Sequence, residues 1–86
     1  MIFTRDDIKD RFQEGKNAGA THMLVVVDRF PFPQEDYVVY VMPGEDVREK
    51  IEEYNNKDEM QEVIEVYSMK LDIEQQLDEK RVFHTE

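Results

Sequence analysis

Met23-Leu24-Val25-Val26-Val27 is an uninterrupted run of aliphatic residues. It is far too short to cross a membrane, and its three consecutive valines favour a pleated strand over a helix. A second run, Tyr37-Val38-Val39-Tyr40-Val41-Met42, has the same character, and turn-forming residues flank both. Successive strand side chains point to opposite faces. Neither run alternates apolar with polar, so the pattern predicts strands buried on both sides. Their simplest arrangement is an antiparallel hairpin joined by the long segment Asp28-Arg29-Phe30-Pro31-Phe32-Pro33-Gln34-Glu35-Asp36. The two prolines of that connection hold it toward extended geometry.

A lone hairpin is marginal in water, so helices must cover it. Thr4 is a cap ahead of Asp6 and Asp7, with Phe3 placed to staple onto Ile8, and Ile8 and Phe12 share one helical face. This predicts a first helix over about residues 5–18 that stops at Gly19, with Gly15 weakening its middle. Pro43-Gly44 closes the second strand, and Glu45 and Asp46 open a second helix, in which Val47, Ile51 and Tyr54 are spaced i, i+4, i+7 and which Asn55-Asn56 ends. From Asp58 two readings compete. Met60, Val63, Ile64 and Tyr67 fit one helical stripe, whereas about 63–71 also reads as a third strand. The helix is preferred, because Glu62 and Glu65 interleave with the stripe and Asp58 precedes it as a cap. A final helix is expected from Met69 or Asp72 to Val82, with Ile73 and Leu77 inward. The expected fold is one α+β domain spanning 1–86, a hairpin packed with three to four helices, with the third strand as the alternative. If helices cover only one face of the hairpin, a second copy must cover the other, so a homo-oligomer is expected.

The charge is uneven. Residues 1–44 carry seven acids and five bases, and residues 45–86 carry fourteen acids and six bases, within a net charge of −10. Such a balance opposes binding to duplex nucleic acid, which needs clustered Lys and Arg. The absence of cysteine excludes disulfides and thiolate metal sites, and with no signal-like N-terminus a cytoplasmic protein is expected. Nucleophile elbows, phosphate loops, paired-His zinc motifs and calcium loops are all missing, so neither catalysis nor a metal or cofactor is expected.

The candidate binding residues lie in the less acidic half. Arg29, Tyr37 and Tyr40 lie in or beside the long connection, where rings can stack on bases and a guanidinium can pair with phosphate. Phe30 and Phe32 read either as further stacking rings or as a plug folded onto the core. Thr21 and His22 precede the first strand, where they can meet the same ligand or simply pack. The carboxylates Glu49, Glu52, Glu53, Glu62, Glu65, Glu74 and Asp78 leave a competing reading, an acidic inhibitor or DNA mimic that occupies a host protein.

Gly19-Ala20-Thr21-His22-Met23, Asp28, Phe30, Asp36-Tyr37, Val39-Tyr40-Val41, Pro43-Gly44-Glu45-Asp46-Val47 and Arg81-Val82-Phe83-His84 together resemble a widespread set of small phage and bacterial proteins. The resemblance covers roughly residues 5–84, and its motifs are not a catalytic signature. It extends to phage anti-CBASS sponge proteins, which sequester cyclic-dinucleotide immune signals. It therefore implies a nucleotide ligand, host-cytoplasmic action and no catalysis. The connection with its two Phe-Pro pairs is longer than that set leads one to expect.

Overall fold

The computed structural model describes residues 3–30 and 32–86. Pro31, one of the two prolines read as stiffening the connection, lies outside the described residues. The fold is α+β, a three-stranded antiparallel sheet with three helices. In chain order these are α1 (Arg5–Asn17), β1 (His22–Asp28), β2 (Glu35–Val41), α2 (Val47–Tyr54), a 3-10 turn (Lys57–Glu59), β3 (Gln61–Ser68) and α3 (Ile73–Leu77). None of the helices is long and apolar enough to span a membrane.

β1 lies at the centre, with β2 and β3 on either side. The expected hairpin forms in register from His22 opposite Val41 to Asp28 opposite Glu35. Residues 23–27 are all buried, as the unbroken apolar run predicts, and His22 is buried with them. Met23 and Val25 join Ile8, Phe12, Tyr67 and Val82 on one face, beneath α1 and α3. Leu24 and Val26 join Val41, Val63 and Val66 on the other, where Val47, Ile51 and Tyr54 of α2 pack. Each fully buried Val or Leu contributes roughly 1.5–3 kcal/mol relative to exposure. One chain thus covers both faces of its own sheet, which removes the reason given above for needing a second subunit.

Local chemistry sets the helix ends as expected. Thr4 and Asp7 form a reciprocal capping box on α1. The Asp46 carboxylate accepts from the Arg48 and Glu49 amides at the start of α2. Gly19 and Gly44 adopt positive φ where the chain leaves α1 and turns toward α2.

The preferred helix from Asp58 is replaced by β3 at Gln61–Ser68, close to the alternative strand expected at about 63–71. The cause is a bulge. Val25 faces Glu65 while Val26 faces Val63, leaving Ile64 without a partner on β1. One extra residue turns the two-residue repeat of a strand into a local three-residue spacing. Val63 and Val66 therefore share one face, and Ile64 and Tyr67 share the other. Offsets of three and four are also the mark of a helix, hence the misleading stripe.

The last helix is likewise shorter than expected. α3 ends at Leu77, and Val82 is not helical. The Val66 amide donates to the Val82 carbonyl and the His84 amide to the Val66 carbonyl, both at 2.9 Å. The C-terminal segment thereby adds a one-bridge parallel strand to the outer side of β3, satisfying backbone groups that a helix through 82 would leave open.

Candidate functional site

A groove of about 480 Å³ runs over the first half of β3, beyond the point where the C-terminal strand pairs. Gln61, Glu62 and Val63 come from β3, Ile51 and Asn55 from α2, and Arg81 and Phe83 from the C-terminal segment, with Arg29 joining from the end of β1. A second hollow of about 370 Å³ adjoins it, lined by Arg48, Glu52 and Thr85 and sharing Ile51 and Phe83 with the first.

Residues 81–84 present these side chains because the segment is extended. Arg81 and Phe83, two apart, fall on the same side, and Val82 points the other way into the core with 1% exposure. The Arg81 guanidinium lies over the Phe83 ring, 5.3 Å from its centroid, a cation–π contact. Three guanidiniums (Arg29, Arg48, Arg81) and two carboxylates (Glu52, Glu62) line the two hollows, leaving a local excess of positive charge in a chain of net charge −10. Arg29 pairs with Glu62 at 2.9 Å. Arg48 and Arg81 form no ion pair among the described residues, so both charges are open to an anion.

The five residues singled out from the sequence are not gathered in one place. Arg29 lines the groove. Tyr37 lies on the same sheet face, packed edge-on against Tyr54 with centroids 6.5 Å apart. Its hydroxyl donates to Oε1 of Gln61 at 2.9 Å, so it holds a groove residue from behind. Burial raises its pKa, so the hydroxyl stays a donor near neutrality. Tyr40 is on the opposite face, its hydroxyl donating to the Arg11 carbonyl at 2.6 Å. That the two tyrosines part to opposite faces follows from strand alternation. Thr21 and His22 are at the far end of β1. The His22 ring is buried, with Nδ1 2.9 Å from the Thr21 hydroxyl and Nε2 2.6 Å from the Glu86 carbonyl oxygen. His22, positioned by Thr21, thereby ties down the end of the segment that carries Arg81 and Phe83.

Phe30 and Phe32 do not plug the core. They are 79% and 101% exposed. The seven carboxylates of the mimic reading do not form one helical surface either. Glu62 and Glu65 are on β3, and Glu74 and Asp78 are engaged by Arg5 beneath the other face of the sheet, with Lys9 also on Glu74. The hydrogen bonds from Lys9 and then Arg5 lower the pKa of Glu74. Among the described residues, no group of three or more His, Cys, Asp or Glu side chains is placed to hold a metal ion.

Sequence reasoning missed Arg48, Arg81 and Phe83. The Arg81-x-Phe83 spacing is a usable signal only for an extended segment, and a helix running to Val82 hides it. The chain matches no protein-family model, no curated protein and no solved structure.

Proposed function

We propose that this is a non-catalytic binding protein that takes a cyclic dinucleotide or related nucleotide signal in the groove between α2 and the C-terminal segment. Withholding that signal is the function, as in a phage anti-defence sponge acting in the host cytoplasm. The observation that carries the reading is the Phe83 ring set between two hollows, with the guanidiniums of Arg81 and Arg48 beside it, neither in an ion pair among the described residues. A base stacks on an aromatic ring and phosphates pair with guanidiniums. Asn55 and Gln61 supply amides for a base edge. In this reading Arg29 completes the cationic wall, Tyr37 orients Gln61, and His22, positioned by Thr21, holds the end of the segment bearing Phe83. Tyr40 supports α1 on the far face.

The groove is lined by one chain, so binding requires one protomer. A homo-oligomer enters the proposal only as pairing along the outer edge of β2, and light scattering during size exclusion at micromolar concentration decides it. The binding claim is tested by calorimetry against a panel of cyclic dinucleotides and linear nucleotides. Saturable binding is expected, with Phe83→Ala weakening it by roughly tenfold or more, as loss of one stacked base implies. Nucleotide recovered after denaturing the complex should be chemically unchanged. No binding to any member of the panel sinks the proposal, and a cleaved product sinks its non-catalytic half.

A further inference from the structure

Just past Arg29, at the same end of β1 as the groove, the chain carries a second surface. Phe30 and Phe32 stand 79% and 101% exposed, and Met60 is 48% exposed. The Arg29 amide donates to the Met60 carbonyl at 2.9 Å, which brings Met60 against the base of the Phe30–Phe32 loop. That base is fixed, since the Asp28 carboxylate accepts from the Phe30 amide at 3.0 Å. The Met60 backbone has a φ of 59°, a left-handed conformation that costs energy in a residue other than glycine. Asp28, Asp58 and Glu59 surround Phe30 in a shallow hollow. Two largely solvated phenylalanines and a half-exposed methionine at one end of the sheet are unusual for a chain that functions alone.

We infer that this tip is a docking knob for a protein partner with an apolar pocket rimmed by Lys and Arg. Charge decides among the possible occupants. Three carboxylates beside Phe30 repel the phosphates of a nucleic acid and the headgroups of an anionic membrane. A second copy brings the same carboxylates and another net charge of −10. A basic rim attracts them, and aromatic anchors seated in a pocket dominate such interfaces. The knob adjoins the groove through Gln61, but Phe30, Phe32 and Met60 do not line it, so the inference does not rest on the nucleotide.

The test replaces Phe32 by the photo-cross-linker p-benzoylphenylalanine in the full chain, expressed in its natural cellular setting. The cross-linked protein is then purified and titrated with the unmodified chain. The expected result is one protein species, cross-linked within an apolar pocket bordered by Lys and Arg. Its affinity should fall steeply with salt and drop roughly 30-fold or more for Phe30→Ser/Phe32→Ser, the loss of two anchor rings. That double variant should keep the wild-type melting temperature, because both rings are solvent-exposed. Any other outcome overturns the inference: no protein product, a chain-to-chain product alone, a nucleic-acid or lipid product, or binding unchanged in the double variant. Binding of the wild-type chain to phosphatidylglycerol vesicles, lost in the double variant, overturns it in favour of a membrane.

Discussion

Gly15 sits inside α1, where replacement of glycine by alanine ordinarily stabilises a helix by roughly 0.5–1 kcal/mol. Here a Cβ would lie 2.5 Å from Cε1 of Tyr40 and 2.8 Å from the Met69 methyl. We expect Gly15→Ala to destabilise instead, by about 1–3 kcal/mol, as overpacking does, and urea denaturation checks the sign. The residue that seemed a weakness in the helix is what lets β2 approach it. Gln76 is the second such case. Its buried amide accepts from the Ser68 amide at 2.8 Å and donates to the carbonyls of Ser68 and Leu71 at 3.0 and 3.2 Å. Gln76→Ala leaves the Ser68 amide without this acceptor and takes a donor from the Ser68 and Leu71 carbonyls, the former still accepting from the Leu71 amide, and should cost about 1–3 kcal/mol, measured the same way. Nothing in the local sequence marks Gln76 as buried, because its partners are brought to it only by the turn between β3 and α3.

At the scale of elements, the C-terminal segment is the part with most to explain. Val66 holds its middle through two backbone bonds, and His22 holds its end. We expect His22→Ala to raise amide hydrogen exchange at His84 and to weaken any ligand whose site includes Phe83. Exchange within central β1 should stay near wild type, since those amides open only with the whole sheet. Equal acceleration at both places would show that His22 supports the fold at large and not the segment. The β3 bulge is the other element-scale lesson. β-Branched content and the apolar run were enough to identify β1 and β2 from sequence. In β3, by contrast, the bulge replaces the two-residue repeat with a three-residue one, and local pattern cannot tell that from a helix turn.

For the whole molecule, stability should form a plateau in pH with a loss at each end. Glu74, Asp7 and Glu45 all have pKa values lowered in the folded state. The causes are chiefly the Lys9 side chain, the Thr4 backbone amide and the Met42 backbone amide, in that order of residues. A lowered carboxyl pKa contributes stability that is complete above the unfolded value, 4.5 for Glu74, and is lost as pH falls through the folded value. The melting temperature should therefore fall below that pH, although relief of the net negative charge acts the other way. Glu74→Gln isolates the difference, and its fall with acid should be shallower than wild type. At the alkaline end, burial pushes the Tyr67 hydroxyl well above its ordinary 10.0. A raised tyrosine pKa contributes stability that is present below the unfolded value and lost as pH rises through the folded one. Melting temperature should drop above pH 10, and a flat profile in either direction would contradict these assignments.

The α+β class, the central hairpin, the capping of α1 and α2 and the burial of β1 on both faces were legible in the chain itself. They rest on interactions within a few residues of each other: β-branched runs, capping side chains, glycines with positive φ. The covering of the second sheet face by α2, the bulge that makes β3 a strand and the extended C-terminal segment were decided by tertiary structure. Each depends on which distant backbone or side-chain groups need partners, and spacing along the chain carries no record of that. The candidate groove belongs to the second kind. Arg29, Arg48 and Arg81 are far apart in sequence, and they share a site only because β3, α2 and the segment after α3 meet at one edge of the sheet.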